Sequence, residues 1–426
     1  MTPPPDNAPQ VVRAARTGLL VLTLINLLNY VDRQVVAALG ASLTRPGTGL
    51  HLSDTQFGTL ASAFMVVYML MSPLFGKLGD RLNRPRLLAC GVAIWSVFTA
   101  LGGFAWNYLS LFACRAVVGV GEAAYGTISP AILSDYFKKA QRGRILAIFS
   151  SAIPIGSALG YMLGGFVDAR WGWRYAFFVA GLPGVVLAIL VWRLSDPQRG
   201  GQDPDFTPRP STLASEPIWR AYRRLLTCRP YALTVAGYAA YTFALGAMVY
   251  WTPLFLERMR GLPKSDATIQ FGAMVVITGF AGTFAGGYLG DYLLKHYRQG
   301  YLLLSGVATL LSVPFAAIAL TSPSKSVFFG AMVVAQLLLF ASTGPINSTI
   351  VNLVNPLERA TASALAIFSI HFLGDVPSPP LIGWMSDRSD LAQAMLIVPF
   401  AIALAGLLWL AAAWAGARDD ARLASN

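Results

Sequence analysis

Twelve predominantly apolar stretches, each near the ~20 residues a helix needs to cross a bilayer, recur between residues 18 and 416. Hydrocarbon offers no partner for a backbone N–H or C=O, so stretches of this length and apolarity cross as helices that satisfy their own backbone. The spans read as 18–42, 55–76, 86–104, 107–137, 143–167, 174–194, 231–256, 267–292, 300–321, 326–353, 360–386 and 391–416. Only 12% of residues are charged, where a soluble chain would carry about twice that share. The expected fold class is therefore an all-α integral membrane protein with twelve transmembrane helices. Residues 1–17, with Arg13 and Arg16, could pass for the front of a signal peptide. The apolar run that follows contains Asp32-Arg33 and no clear cleavage site, so it reads as a first span behind a disordered N-terminus.

One polar stretch divides the chain. Residues 195–230 hold Pro197, Pro204, Pro208, Pro210 and Pro217, then Trp219-Arg220-Ala-Tyr222-Arg223-Arg224. This is a linker ending in an amphipathic helix suited to the membrane surface. It separates six-span halves at 18–194 and 231–417, followed by a tail at 418–426. With the N-terminus placed inside, the inner segments hold 22 of the 32 Lys and Arg residues and the outer segments eight. That bias puts both termini and the linker in the cytoplasm, most simply on a bacterial inner membrane. It also removes nucleic acid as the reason for the net charge of +12, because the basic residues sit in loops between spans.

The halves repeat each other. Gly76-Lys-Leu-Gly-Asp80 returns 211 residues later as Gly287-Tyr-Leu-Gly-Asp291, and Gln56-Phe-Gly58 returns after 214 as Gln270-Phe-Gly272. Two offsets that agree near half the chain length point to a duplicated six-span unit, the internal symmetry from which carriers build alternating access.

Against this apolar background the charges inside spans carry the chemistry. Arg115-Ala-Val-Val-Gly-Val-Gly-Glu122-Ala-Ala-Tyr125 puts a guanidinium and a carboxylate seven residues apart, on one helix face and about 10 Å along its axis. Each mid-span charge costs about 2.5–3.5 kcal/mol on insertion scales, so both should face a cavity rather than lipid. With Asp32 of the first span they form the candidate proton-coupling site. A low dielectric favours a protonated carboxyl and a nearby guanidinium favours the carboxylate, so a changing cavity switches between them. Arg115 could also clasp a phosphate head group through two bonds. The plainer alternative is a static ion-pair network. Arg33 faces another side of its helix from Asp32 and reads equally as a site member or an interfacial anchor.

Several other features have both a functional and a packing reading. Asp80 with Arg81 and Arg84, and Asp291 in the repeat, suits a gate whose carboxylates meet helix N-termini or arginines on closure. His371-Phe-Leu-Gly-Asp375 sets a His and an Asp at i and i+4, able to assist proton transfer or simply to pack beside Pro377, Pro379 and Pro380. The packing reading is favoured there, since those prolines break the helix. Gly156, Gly160 and Gly164 recur every fourth residue and let another helix approach closely. Tyr125, Tyr241, Tyr250, Trp251, Phe340, Phe368 and Asn347 are candidates to line the cavity, with Tyr125, Trp251 and Asn347 joining Arg115 and Arg33 as the expected substrate contacts.

The segment Gly76-Lys-Leu-Gly-Asp80-Arg81-Leu-Asn83-Arg84-Pro85-Arg86 resembles the signature loop of the major facilitator superfamily, with Asn83 for the usual Gly and Pro85 for a basic residue. The segment Gly156-Ser-Ala-Leu-Gly160-Tyr161-Met-Leu-Gly164-Gly165 is similar to that superfamily's antiporter motif, with Tyr161 in place of its Pro. Arg115 through Pro130, Asp135-Tyr-Phe, Arg142-Gly-Arg144, Ile153 through Tyr161 and Asn29-Tyr30-Val-Asp32-Arg33 together resemble the Spinster family of lipid transporters. The resemblance implies a twelve-span facilitator that exports or redistributes lysophospholipids or sphingoid phosphates with proton coupling.

The expectation is a rocker-switch secondary transporter of anionic amphiphiles, acting as a monomer. A proton-coupled symporter of small organic anions is the alternative, since Tyr-x-Asp-Arg in the first span resembles those carriers too. A lateral apolar opening would favour the lipid carrier. No Gly-rich loop with Gly-Lys-Ser/Thr suggests ATP hydrolysis, and the 195–230 linker is too short and polar for a soluble catalytic domain. Three scattered histidines and three cysteines without ligand spacing indicate no metal or cofactor, and no enzyme.

Overall fold

The computed structural model describes residues 8–45, 47, 49–137, 139–199, 202, 218–354 and 359–424. The helices, in order, are α1 (Ala8–Ala38), α2 (Gly40–Thr44), α3 (Asp54–Arg81), α4 (Arg84–Gly102), α5 (Tyr108–Tyr136), α6 (Lys139–Trp171), α7 (Trp173–Trp192) and α8 (Ile218–Thr227). They continue with α9 (Arg229–Arg260), α10 (Lys264–His296), α11 (Gly300–Thr321), α12 (Lys325–Phe340), α13 (Thr343–Asn352) and α14 (Arg359–Ile370). A π-helical turn, His371–Asp375, leads to α15 (Ser378–Arg388), α16 (Leu391–Met395) and α17 (Ile397–Ala424). Among the described residues there is no strand, and twelve helical spans are long and apolar enough to cross a membrane. The linker prolines from Pro204 to Pro217 and the side chains of Asp80 and Trp219 lie outside the described residues.

Two spans expected to be continuous are interrupted. The tenth is split into α12 and α13 at Ala341 and Ser342. Pro345 has no N–H to return to the Ala341 carbonyl, so the ladder fails there. The eleventh passes through the π turn, closed by the Val376 N–H donating to the His371 carbonyl at 3.1 Å. Pro377, Pro379 and Pro380 remove three of four consecutive opportunities for i→i−4 bonds, and the widened turn absorbs the mismatch.

The chain forms two compact units. Unit 1 is Met1–Leu52, Thr59–Arg209 and Pro263–Gly272; unit 2 is Ser53–Gly58, Pro210–Leu262 and Ala273–Asn426. Thus the first turns of α3 and α10 each belong to the unit opposite to the rest of their helix. The repeated Gln-Phe-Gly sits in both turns, and each Phe packs against a tyrosine ring. In unit 2, Phe57 stacks on Tyr250 with centroids 4.5 Å apart, and a Cβ on Gly58 would lie 2.3 Å from the Pro379 carbonyl oxygen. In unit 1, Phe271 meets Tyr161 edge-on at 5.1 Å, and a Cβ on Gly272 would lie 3.1 Å from Tyr161 Cβ.

Charge fixes both turns, with opposite sign. Asp54 accepts from Arg258 Nη1 and Nη2 at 2.7 and 2.9 Å and from Ser386 Oγ at 2.6 Å. Asp387 takes the free N–H groups of Asp54 and Thr55, each at 2.8 Å, as a carboxylate at a helix start should. In α10 the charge is basic: Lys264 pairs with Asp168 and Ser42.

In unit 1, α6 lies against α1 along the glycine stripe. A Cβ on Gly156 would stand 2.5 Å from the Leu27 carbonyl oxygen, one on Gly160 2.6 Å from that of Val31, and one on Gly164 2.8 Å from Ala38 Cβ. Only hydrogen fits there, which is how small-residue stripes let backbones touch. Gly160→Leu is expected to cost at least the ~1–3 kcal/mol of an overpacked core, read as a lower unfolding midpoint in detergent micelles. Unit 2 centres on buried aromatics instead, with Trp409 Nε1 donating to the Thr234 carbonyl at 3.1 Å and Tyr231 donating to that of Ala362 at 2.7 Å.

Candidate functional site

The site in unit 1 is built from α1, α3 and α5. The start of α5 is held by a reciprocal cap: Asn107 Oδ1 accepts from the Ser110 N–H at 2.8 Å, and Ser110 Oγ accepts from the Asn107 N–H at 3.2 Å. From there α5 carries Arg115 and Glu122 into the interior. On α1, Asp32 and Arg33 are neighbours in sequence and so project about 100° apart. Each therefore finds a different partner on α5.

Asp32 receives Arg115 Nη1 at 3.3 and 3.4 Å, and both side chains are buried. Glu122 Oε2 accepts Arg33 Nε at 2.8 Å. The four charges cancel, which lets them exist in an apolar interior. They differ in access: the Arg33 side chain is 19% exposed and Glu122 is fully enclosed. Three rings surround the Arg33 guanidinium, Tyr30, Phe64 and Tyr68, with centroids at 5.1, 4.9 and 5.3 Å. Phe64 also faces Arg115, at 5.4 Å. Cations over aromatic faces keep part of their solvation in a dry site.

The network is incompletely bonded. Glu122 Oε1, Asn29 Nδ2 and Arg115 Nε make no hydrogen bond of ordinary geometry although all three are buried, and the Asn29 amide lies beside the Glu122 carboxylate.

The constellation of Asp32, Arg115 and Glu122 is thus gathered in one place, and Arg33 is its fourth member. The pairing of Glu122 with Arg33 rather than Arg115 was not readable, because it depends on the rotation of α1. Phe64 and Tyr68 were also missed; their only signal is an i, i+4 aromatic pair on α3.

The other candidates have partners of their own. Tyr125 is in the core of unit 1, donating to the Leu22 carbonyl at 2.7 Å and lying edge-on to Trp95. Trp251 is fully buried in unit 2, with Nε1 donating to the Pro379 carbonyl at 3.1 Å. Tyr241 and Tyr250 are similarly buried and donate to the Leu339 and Phe57 carbonyls, whereas Phe368 is half exposed and Phe340 is partly buried. Asn347 is exposed and donates to the Thr343 carbonyl at 2.9 Å and to the Tyr238 hydroxyl at 3.4 Å.

Of the loop residues, Arg81 is exposed, and Asp291 accepts the Tyr301 hydroxyl at 2.7 Å. Arg84 is buried and bonded within unit 1, to Asp135, to Asp196 at 2.8 Å and to the Pro197 carbonyl. The two departures in this loop have a local purpose. Asn83 caps α4 by accepting the Arg86 N–H at 3.0 Å, and Pro85 sits in its first turn.

This twelve-span fold and its charged interior define a membrane transporter of the major facilitator superfamily, whose description matches residues 22–369. Protein spinster homolog 3 of Danio rerio is 34% identical over 428 residues, covering 93% of this chain and 84% of that protein. The sphingosine-1-phosphate transporter SPNS2 of Mus musculus is 32% identical over 424 residues, covering 92% and 76%. A solved bacterial homolog of the human lysosomal transporter Spinster, in an inward-facing and unoccupied conformation, shares the fold with a TM-score of 0.85 at 24% identity, over 95% of this chain and 98% of that one. The chain belongs to the spinster family of transporters.

Proposed function

We propose that this chain is a secondary active carrier of anionic amphiphiles of the lysophospholipid or sphingosine 1-phosphate kind, coupled to protons through Glu122 and Asp32. The observation that carries this reading is the enclosed Glu122 carboxylate, paired through one oxygen with Arg33 and lying beside the Asn29 amide and the Asp32–Arg115 pair. Arg33 is the most exposed of the four charges and the natural contact for an anionic head group. When a head group engages Arg33, Glu122 loses its cation in a low dielectric, where an isolated carboxylate is strongly disfavoured and a proton replaces the cation. Substrate and proton thus become linked by competition for one guanidinium. Arg115, held by Asp32, supplies the positive field behind it, and Tyr125 and Trp251 serve the walls as packing residues. The likeness to the mouse sphingosine-1-phosphate transporter supports a lipid with an anionic head.

Movement by alternating access, with Asp80, Arg81 and Asp291 in the gating loops, completes the proposal. Arg84 is assigned to anchoring the start of the linker, since its bonds to Asp196 and Pro197 tie that segment down. Both termini are placed in the cytoplasm of a bacterial inner-membrane protein that acts as a monomer. Purified protein in vesicles, offered a labelled lysophospholipid and labelled benzoate in parallel, tests the substrate class. The lipid is expected to move. Movement of benzoate alone would replace the lipid carrier with a small-anion symporter.

A further inference from the structure

Unit 1 carries a second basic feature that the charged site does not use, on the outer faces of α4 and α7. Gly181 of α7 brings the two helices into backbone contact: a Cβ there would stand 2.6 Å from both the Ser96 carbonyl oxygen and the Ala100 nitrogen. Their inner faces enter the core around Tyr125 through Val92, Trp95 and Val191. Their outer faces look away from it as exposed strips, with Arg86, Ile94 and Val97 on α4 and Val186, Ile189 and Trp192 on α7. Both helices are spans, so these aliphatic strips belong against acyl chains.

The basic groups gather at one end of this shallow groove, where α4 begins and α7 ends. The Arg86 ζ carbon lies 5.8 Å from the centroid of the Trp192 ring. Arg193 follows on the exposed side, one turn beyond Ile189. Among the described residues neither guanidinium has a hydrogen bond or an ion pair. No carboxylate is at hand to neutralise them: α4 and α7 contain no acidic residue, and Asp135 and Asp196 are both taken by the buried Arg84. The far end of the groove differs. Arg174 there donates to the Ala105 carbonyl at 3.0 Å and lies 4.2 Å from the centroid of Trp173.

Two uncompensated guanidinium groups beside a tryptophan, at the mouth of an aliphatic groove, complement a phosphodiester that carries acyl chains. Guanidinium meets phosphate through paired N–H bonds, and a tryptophan edge suits the level of the head groups. A second copy of the same face would set arginine against arginine, which is repulsive. We propose that the α4–α7 face holds an anionic phospholipid of the surrounding bilayer, its phosphate between Arg86 and Arg193 and its chains along the aliphatic strips. This lipid is a bound partner of the fold rather than cargo, and the assignment stands apart from the lipid-carrier reading.

The test is native mass spectrometry of the full chain released from detergent micelles that hold equal amounts of phosphatidylglycerol and phosphatidylcholine with the same chains. Wild type is expected to retain phosphatidylglycerol preferentially. Arg86→Gln and Arg193→Gln are each expected to lose about fivefold in affinity for it, and the double variant about twenty-five-fold, with phosphatidylcholine unchanged. Arg13→Gln/Arg16→Gln removes the same charge from exposed positions of α1 and is expected to keep the wild-type preference. Equal retention of both lipids by wild type, or the same loss in the α1 variant, would reduce these arginines to diffuse surface charge and overturn the site. Millimolar glycerol 3-phosphate is expected to leave the lipid bound, since it has no chains for the strips; displacement would make this an anion site and overturn the lipid. A dimer formed through this face that excludes phosphatidylglycerol would overturn it as well. Should the double variant fail to fold, the two single variants decide by the same comparison.

Discussion

Asp32→Asn is expected to destabilise the protein by about 3–5 kcal/mol, the cost of leaving one member of a buried ion pair alone. Arg115 has little else to hold it. Its Nη1 contacts to Asp32 are 3.3 and 3.4 Å, its Nε has no partner, and the side chain is 3% exposed, so water cannot replace the lost carboxylate. The Phe64 ring offers a cation–π contact at 5.4 Å, worth about 0.5–2 kcal/mol, which is less than the deficit. Removing both charges together, in Asp32→Asn/Arg115→Gln, is expected to recover most of the stability, because deleting a whole buried pair is often neutral. Thermal unfolding of the two single variants and the double variant forms a cycle that isolates the pair. A single variant within about 1 kcal/mol of wild type would show that the pair is not buried as described. Transport is expected to stay lost in the stable double variant, which separates the role of these charges in function from their role in folding.

Glu122→Gln is expected to have the opposite profile, with a modest loss of stability and a complete loss of proton dependence. Arg33 survives without Glu122 because three aromatic rings lie within 5.3 Å of its guanidinium and it is partly exposed. The amide imitates the protonated carboxyl in shape and neutrality but cannot release a proton. The ratio of lipid uptake with and without an imposed pH gradient should therefore fall to about one, the value for transport with no coupling free energy. Retention of the wild-type ratio would move the proton site away from Glu122. Arg33→Lys adds a check, since a lysine keeps the charge but lacks the planar face that suits these rings and a phosphate.

The architecture was legible because bilayer length and backbone satisfaction leave few choices. Long apolar runs give helices, and the repeated Gln-Phe-Gly announces a duplication before any coordinate is known. The structure adds what the repeat is for: Phe57 and Phe271 pack on aromatic partners, and Gly58 and Gly272 allow close backbone approach. The members of the charged site were legible by their cost, since Asp32, Arg33, Arg115 and Glu122 are expensive in an apolar run. Their pairing was not. Residues 32 and 33 point about 100° apart, and which of them meets Glu122 depends on how α1 is rotated against α5. Phe64 and Tyr68 were hidden among 24 Phe and 16 Tyr, where nothing local distinguishes a ring over a guanidinium from one packed against lipid. The three prolines after Asp375 signalled a broken helix. That the break takes the form of a π turn presenting His371 and Asp375 together required the backbone itself.

The most direct measurement of the central claim is proton movement driven by substrate. Protein would be reconstituted in vesicles enclosing a pH-sensitive dye, with no initial pH gradient, and a lysophospholipid added outside. The account predicts a change in lumenal pH that accompanies lipid movement in wild type and is absent in Glu122→Gln. Lipid movement without any proton flux in wild type would contradict it, and the buried charges of α1 and α5 would then be a scaffold rather than a coupling site.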